Sequence, residues 1–283
     1  MTNIFYIDGN KIVEKDGIKY IYLPFLQNSV FEYLKSRNFL GFLKPLKDDG
    51  SCEIYIFQED NVPLQDKAKD LILLLSLLHT KTTTYEKVVF ADCEKFYQEI
   101  TSKINSQMEY YLKLQEQFEN NVYMAPDEYL FMRNASIFYR NLRKSREYLD
   151  LWLDFLKKEE NRRVVFLQGS PTFFNFVDLE KPYFRDFSLS KRGCVVYDFL
   201  FFYKRFYEDI EMVSLFRLYQ KNFYFDEGEK YLFYALLLFN DNVVDISASH
   251  YKNVVEFNKT IRYLESSYSF LLKQNEKDEK TDK

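Results

Sequence analysis

The sequence predicts an α+β chain with a small strand-rich lobe at its N-terminus and a larger, mainly helical lobe after it. Three observations carry this. Apolar and polar positions alternate through residues 1–62. A three- and four-residue apolar period takes over from Pro63. A short cluster of β-branched and aromatic runs then interrupts the helices at 163–188. The boundaries expected are 1–62 for the small lobe, 63–272 for the helical lobe, and 273–283 for a charged tail without apolar anchors, read as disordered.

In the small lobe, "NIFYID" and "KIVEKDGIKYIYLPF" alternate around Asp8-Gly9-Asn10 and Asp16-Gly17, both suited to hairpin turns. "NSVFEYLKSRNF" follows as a short helix, with Asn28 or Ser29 as N-cap and Val30, Phe31 and Leu34 as its apolar side. "SCEIYIFQ" reads as a further strand.

Beyond Pro63, Leu64, Ala68, Leu71, Leu75 and Leu78 mark an amphipathic helix. Cys93, Phe96, Ile100, Ile104, Met108 and Tyr111 mark another over 92–120. Phe131, Ala135, Phe138, Leu142, Leu149, Trp152 and Leu156 mark a third over 126–158. The last two, joined by "NNVYMAPD", predict an antiparallel helical hairpin. "RRVVFLQ", "FFNFVDL" and "YFRDFSL" are short strand-like runs, after which helices are expected over 195–207, 212–219, 227–240 and 251–272.

Composition narrows the function. The 283 residues are 47% hydrophobic and 19% aromatic, which excludes general disorder and points to a core rich in Phe and Tyr. A net charge of −4 and a pI near 5.5 argue against a nucleic-acid partner. The N-terminal residues carry no basic segment followed by an apolar run, and the longest apolar stretch, Tyr231 to Phe239, is too short to span a bilayer. A soluble, cytoplasmic protein with no membrane partner is expected. Cys52, Cys93 and Cys194 are isolated and odd in number, and only His79 and His250 exist, so neither a zinc site nor a disulfide framework is indicated.

The informative motif is Gln168-Gly169-Ser170 with Asn175 five residues on, then Arg185-Asp186-Phe187 and "KRGCVVYDFLFFYKR". This order resembles the aminoglycoside-phosphotransferase and choline-kinase-like superfamily, and within it the CotS-like, spore-coat-associated branch. Members of that branch read H-G-D-x-x-x-x-N, then a strand ending I-D-F, then G-P-P-x-Y-D-L. Asn175, Asp186, Gly193, Tyr197 and Asp198 stand where the family has the same residues; Gln168 and Ser170 replace its His and Asp. "DLILLLSLLHTKT", the helical hairpin and "EYLKSRNF" from Glu32 extend the likeness over most of the chain. The resemblance implies a two-lobed protein-kinase-like fold. It also implies that the hairpin's aromatics (Tyr110, Tyr111, Phe138 and Tyr139) fill or line the acceptor side of a cleft.

The departures bear on chemistry. Phosphoryl transfer depends on positioning and on neutralising charge. A serine hydroxyl at 170 is neutral at physiological pH and cannot replace the carboxylate that would accept the attacking hydroxyl's proton. Aligning "IYLPFL" with the family's strand puts Leu23 where its phosphate-clamping Lys belongs, which leaves Glu32 without the partner that the family's helix Glu holds. Lys19 substitutes only if strand alternation turns it inward. Gly9 and Gly17 make no glycine-rich phosphate cluster. Asn175 and Asp186 are the metal-holding positions that survive; they either retain a vestigial Mg–nucleotide site with Glu32, or cap a turn and bond local backbone.

Other features read as structural. Asp198, by resemblance, bonds backbone in the loop. His79 reads as a packed, satisfied histidine, and His250, beside Ser247 and Ser249, has no acidic partner in its local sequence. Arg133, Arg140, Arg143, Lys144 and Arg146, followed by Arg162 and Arg163, form a stripe broken by Glu147, Asp150 and Asp154: a solvated face. Glu208, Asp209 and Glu211 belong to a charged connector. The expectation is therefore a catalytically inactive kinase-like protein, a pseudokinase, that binds or scaffolds a protein partner. Spore-coat association is implied by resemblance alone, and no cofactor is required. The alternative is an active or weakly active ATP/Mg-dependent phosphotransferase on a small-molecule hydroxyl. A third reading, a helical interaction module, requires that the strands around Gln168 form no hairpin.

Overall fold

A computed structural model describes residues 2–7, 10–24, 28–43, 45–48, 52–247 and 249–281. Its N-terminal part is a five-stranded antiparallel sheet in the order β1-β2-β3-β5-β4, from β1 (Thr2–Ile7), β2 (Asn10–Lys15), β3 (Ile18–Pro24), β4 (Lys47–Asp48) and β5 (Cys52–Ile56). Asp16 and Gly17 turn β2 into β3 with φ of 53° and 77°, the left-handed pair that matches strand twist. The expected turn at Asp8-Gly9 lies outside the described residues. Alternation puts Ile21 and Leu23 on the buried face of β3.

Helix α1 (Asn28–Ser36) buries Phe31 and Leu34 and stops at Asn38, whose φ of 54° lets Phe39 N–H reach back to Leu34 O at 3.0 Å. Helix α2 (Leu64–Thr82) buries Ala68, Leu71, Leu75 and Leu78 as the period requires, while Leu64 is exposed.

The chain divides into two compact units along lines other than the sequence boundaries. The first holds 1–85 and 163–224, so the small sheet and the central strand cluster share one body. The second holds 86–162 and 225–283. The chain passes between them three times, within β6 (Thr84–Lys87), within β7 (Asn161–Leu167) and between Tyr224 and Phe225.

The first unit also contains β8 (Phe176–Val177), β9 (Tyr183–Phe184), β10 (Lys191–Gly193), α5 (Val196–Phe206) and α6 (Met212–Asn222), with α6 packed on α2. Strands β8 and β9 form an antiparallel hairpin, which removes the unrelated helical module as a reading. Strand β10 pairs with β7 through Lys191–Leu167 and Gly193–Val165.

The second unit is helical. Its members are α3 (Phe90–Glu119), α4 (Pro126–Leu156), α7 (Glu227–Leu238) and α8 (His250–Thr281), with α4 packed on the other three. Tyr111, Phe118, Phe131, Phe138 and Phe257 form its aromatic core, with ring centroids 4.8–6.2 Å apart. Tyr111 and Phe138 thus fill this unit, and Tyr139 and Tyr110 donate hydroxyls to Gln115 and to Val244 O within it. Asp226 and Glu229 cap the start of α7 reciprocally, each carboxylate accepting the other's backbone N–H. The segment from 273, read from composition as disordered, continues α8 as helix to Thr281. Among the described residues no helix is long and apolar enough to cross a membrane.

Candidate functional site

The loop from Leu167 to Asn175 is built around one buried carboxylate. Asp198, on the first turn of α5, accepts Gln168 N–H at 2.7 Å through Oδ2 and Gly169 N–H at 2.9 Å through Oδ1. The same Oδ2 lies 3.0 Å from Nε2 of His79, whose Nδ1 shares a 2.5 Å hydrogen bond with the Tyr219 hydroxyl. His79 and Asp198 are both buried, and every polar atom of the two that could be left without water has a partner in this network. The structural roles expected of both are the ones observed.

Gly169 has φ of 92°, and a Cβ there would collide with the carbonyl of Leu189. Only glycine allows that close approach between the loop and the segment before β10. Gln168, in the family's histidine position, is fully buried. Its amide donates to Asp186 O at 2.7 Å and its Oε1 accepts Ser170 N–H at 2.8 Å. It ties the loop to the segment after β9 that carries Asp186 without offering a titratable group.

Asn175 donates Nδ2 to the carbonyl of Ser170 at 3.0 Å and to its hydroxyl at 2.9 Å. Arg185 N–H donates to Asn175 O at 2.8 Å, which extends the β8–β9 pairing and sets Asn175 beside the start of the Arg185-Asp186-Phe187 run. Both oxygens of Asp186 are engaged by Ser188, one by its N–H at 2.7 Å and one by its hydroxyl at 2.8 Å. These are the bonds of an Asn175 that caps a turn and an Asp186 that holds local groups. Each of the two is engaged by a serine of its own segment, Asp186 by Ser188 and Asn175 by Ser170. Among the described residues no three His, Cys, Asp or Glu side chains are grouped to hold a metal.

Beneath the small sheet, Leu23 packs with Ile12, Ile21, Tyr55 and Phe57, and Phe5, Ile7, Leu43 and Phe174 close the cluster. Phe174 belongs to the loop, so that loop fills the underside of the sheet with an aromatic ring. Glu32 is exposed on α1. Glu53 is the acid that is buried on this sheet: it sits opposite Leu23 in register and accepts the Tyr55 hydroxyl. Lys19 has the same strand parity as Leu23, but its ammonium is held by Glu59 at 2.8 Å, which raises its pKa.

Three features escaped the sequence. Arg185, read there only as a motif letter, is buried, and it donates to Phe174 O at 2.6 Å and to Gln58 O. Its guanidinium lies 4.5 Å from the Phe57 ring centroid and 5.4 Å from that of Phe174, and burial lowers its pKa. Asp178 neighbours Asp60 and Asp70; burial and those two carboxylates, opposed by Lys67, push it up to about 6. His250 has an oriented acid, Asp127 of α4, at 2.8 Å from Nδ1, a partner that lies far outside its local sequence. Burial pushes Asp127 up, but bonds from Asn253 and His250 outweigh it and hold Asp127 below its usual value.

No family model matches the sequence, and no curated protein is recognisably similar to it. Solved structures are similar in fold. An aminoglycoside phosphotransferase from Alicyclobacillus acidocaldarius subsp. acidocaldarius DSM 446 superposes with a TM-score of 0.67 at 10% identity, over 98% of this chain and 92% of that one. The fold is kinase-like. A glucosamine kinase in complex with glucosamine, ADP and inorganic phosphate gives 0.53 at 10% identity, over 98% of this chain and 83% of the other. A spectinomycin phosphotransferase in complex with ADP and spectinomycin gives 0.50 at 12%, over 95% and 92%. At such identities this kinase-like likeness carries the architecture and leaves the chemistry to the residues of the site.

Proposed function

We propose that this kinase-like chain has no phosphotransferase activity and serves as a binding or scaffold protein, related in role to the CotS-like proteins of the spore coat. The observation that carries this reading is the packing of Leu23 and Phe57 with Phe174, which puts apolar side chains where a nucleotide-handling protein needs a cation and open space. Ser170 supports it, because a neutral hydroxyl cannot accept the acceptor's proton. So does Asp186, whose carboxylate is committed to Ser188.

A second reading, a weakly active ATP-dependent phosphotransferase on a small-molecule hydroxyl, draws support from the preserved loop. Asp198, Asn175 and Asp186 keep the family's order, and the solved neighbours include a glucosamine kinase with ADP and a spectinomycin phosphotransferase with ADP.

Thermal-shift titration with ATP and Mg²⁺, on the natural protein and on Asp186→Ala, separates the two. The scaffold reading expects no metal-dependent rise in either. Transfer of labelled phosphate from ATP to amino sugars, aminoglycosides or choline, lost in Asp186→Ala, would overturn it.

A further inference from the structure

The segment between β5 and α2, residues 57–63, is fastened to the β8–β9 hairpin at several points. The Phe57 and Phe174 rings stack with centroids 6.3 Å apart. The Tyr183 hydroxyl donates to Gln58 Oε1 at 2.8 Å. Asp60 accepts Asp178 N–H at 3.0 Å and is neutralised by Lys67 at 2.8 Å. At the centre, Arg185 spans both sides, reaching Gln58 O in the linker and Phe174 O in the loop.

Arg185 is a costly residue for this place. A guanidinium only 6% exposed, with Nε left without an acceptor and donors spent on two backbone carbonyls, gives up much of its hydration, and Tyr183 and the carboxylates of Asp60 and Glu59 offset only part of that loss, since its pKa is still lowered. An apolar side chain would fill the position at lower cost. What an apolar residue cannot do is bind two separate backbone segments at once. The rigid fork of guanidinium donors does this, and its flat face covers both phenyl rings.

We propose that Arg185 is an internal latch which, with Phe174, holds the linker and small sheet down on the loop and keeps the space beneath the sheet closed to nucleotide. This rests on the function proposed above and names how the site is kept shut. Opening requires both Arg185 bonds to break and the Phe57–Phe174 contact to part, and the open form is correspondingly rare. Apparent affinity for a nucleotide falls in proportion to the open fraction.

The test uses the full chain, ADP with Mg²⁺ as probe, calorimetry for binding, and Arg185→Met, Phe174→Leu and the double variant. The variants bind saturably, and the natural protein shows no saturation at ADP concentrations about tenfold above those that saturate the variants. Folded variants with no gain overturn the latch. So does natural protein that binds ADP as tightly as the variants, even if no phosphate is transferred, in which case the scaffold reading stands. Phosphate transfer by the natural protein overturns the scaffold reading instead and leaves the latch to be judged on the variants' affinities. Should the variants fail to fold, hydrogen exchange of the natural protein decides. The amides of Phe57, Asp178 and Arg185 exchange together if the latch holds; linker amides exchanging about a hundredfold faster than those of the hairpin overturn it.

Discussion

The carboxylate of Asp198 lies 3.0 Å from Nε2 of His79, and both side chains are withdrawn from solvent. The pair joins α5 to the end of α2, and through Gln168 N–H and Gly169 N–H it joins both to the loop. Position, and not proton transfer, is what this carboxylate supplies: every partner it holds is a backbone N–H or a buried ring.

Asp198→Ala is therefore expected to be among the most damaging single changes in the chain. It leaves two N–H groups and an imidazole nitrogen without acceptors in a buried setting, which costs about 3–5 kcal/mol. Urea denaturation followed by circular dichroism measures it. A loss below about 1 kcal/mol, the value of an ordinary exposed hydrogen bond, would contradict the role assigned.

Gly169→Ala tests the close approach of the loop to the segment before β10. The backbone at φ of 92° is unfavourable for an L side chain, and the added methyl meets the Leu189 carbonyl, which is backbone and cannot rotate away. The substitution should destabilise by more than about 1 kcal/mol. Gly17→Ala shares the positive φ but meets open space, so it should cost less. Comparing the two midpoints in urea isolates the steric part.

Much of this architecture can be read from the chain without coordinates, because long amphipathic helices repeat their signal. The periods ending at Leu78 and Leu156 place α2 and α4 to within a few residues. Strands of two to four residues, such as β4, β8 and β10, are too short to display alternation. The site divides in the same way. The loop order from Gln168 to Asp198 is legible as a motif, whereas Arg185 is misleading, since a charge at the end of a short strand ordinarily points to water. Asp127 and His250 are 123 residues apart, and Asp178 meets Asp60 and Asp70 only in the fold, so no local pattern announces either group.

Asp178 makes stability depend on pH in a direction opposite to most carboxylates. Its folded pKa, about 6, is above the roughly 3.9 of an unfolded aspartate, so the folded state holds this proton more tightly. The ionised form is a penalty that is fully present above pH 6 and relieved as pH falls from about 6 toward about 4. Because the side chain is partly solvated, screening reduces the effect to about 1 kcal/mol. Asp178→Asn should raise stability by that amount at pH 8 and leave it unchanged at pH 4, as read from urea midpoints at both values. Equal effects at the two pH values would show that the proton is not involved.

Ser170→Asp asks whether one carboxylate restores transfer. It supplies the missing acid, and Asn175 Nδ2, now 2.9 Å from the serine hydroxyl, is placed to donate to it. The other requirements are untouched: Leu23 still offers no cation from the sheet, Asp186 remains bonded to Ser188, and Phe174 still packs against the sheet's buried cluster. Catalysis of this class draws on positioning and charge neutralisation together, so one group restored among several missing ones gains nothing measurable. The expected rate of phosphate transfer from ATP to an amino-sugar panel is the background rate. Adding Leu23→Lys should not rescue it, because an ammonium forced into the cluster around Ile21 and Phe57 destabilises the sheet by several kcal/mol. Transfer by Ser170→Asp alone, measured with labelled ATP and abolished by Asp186→Ala, would show that the space beneath the sheet opens to nucleotide and that the loop lost only its base.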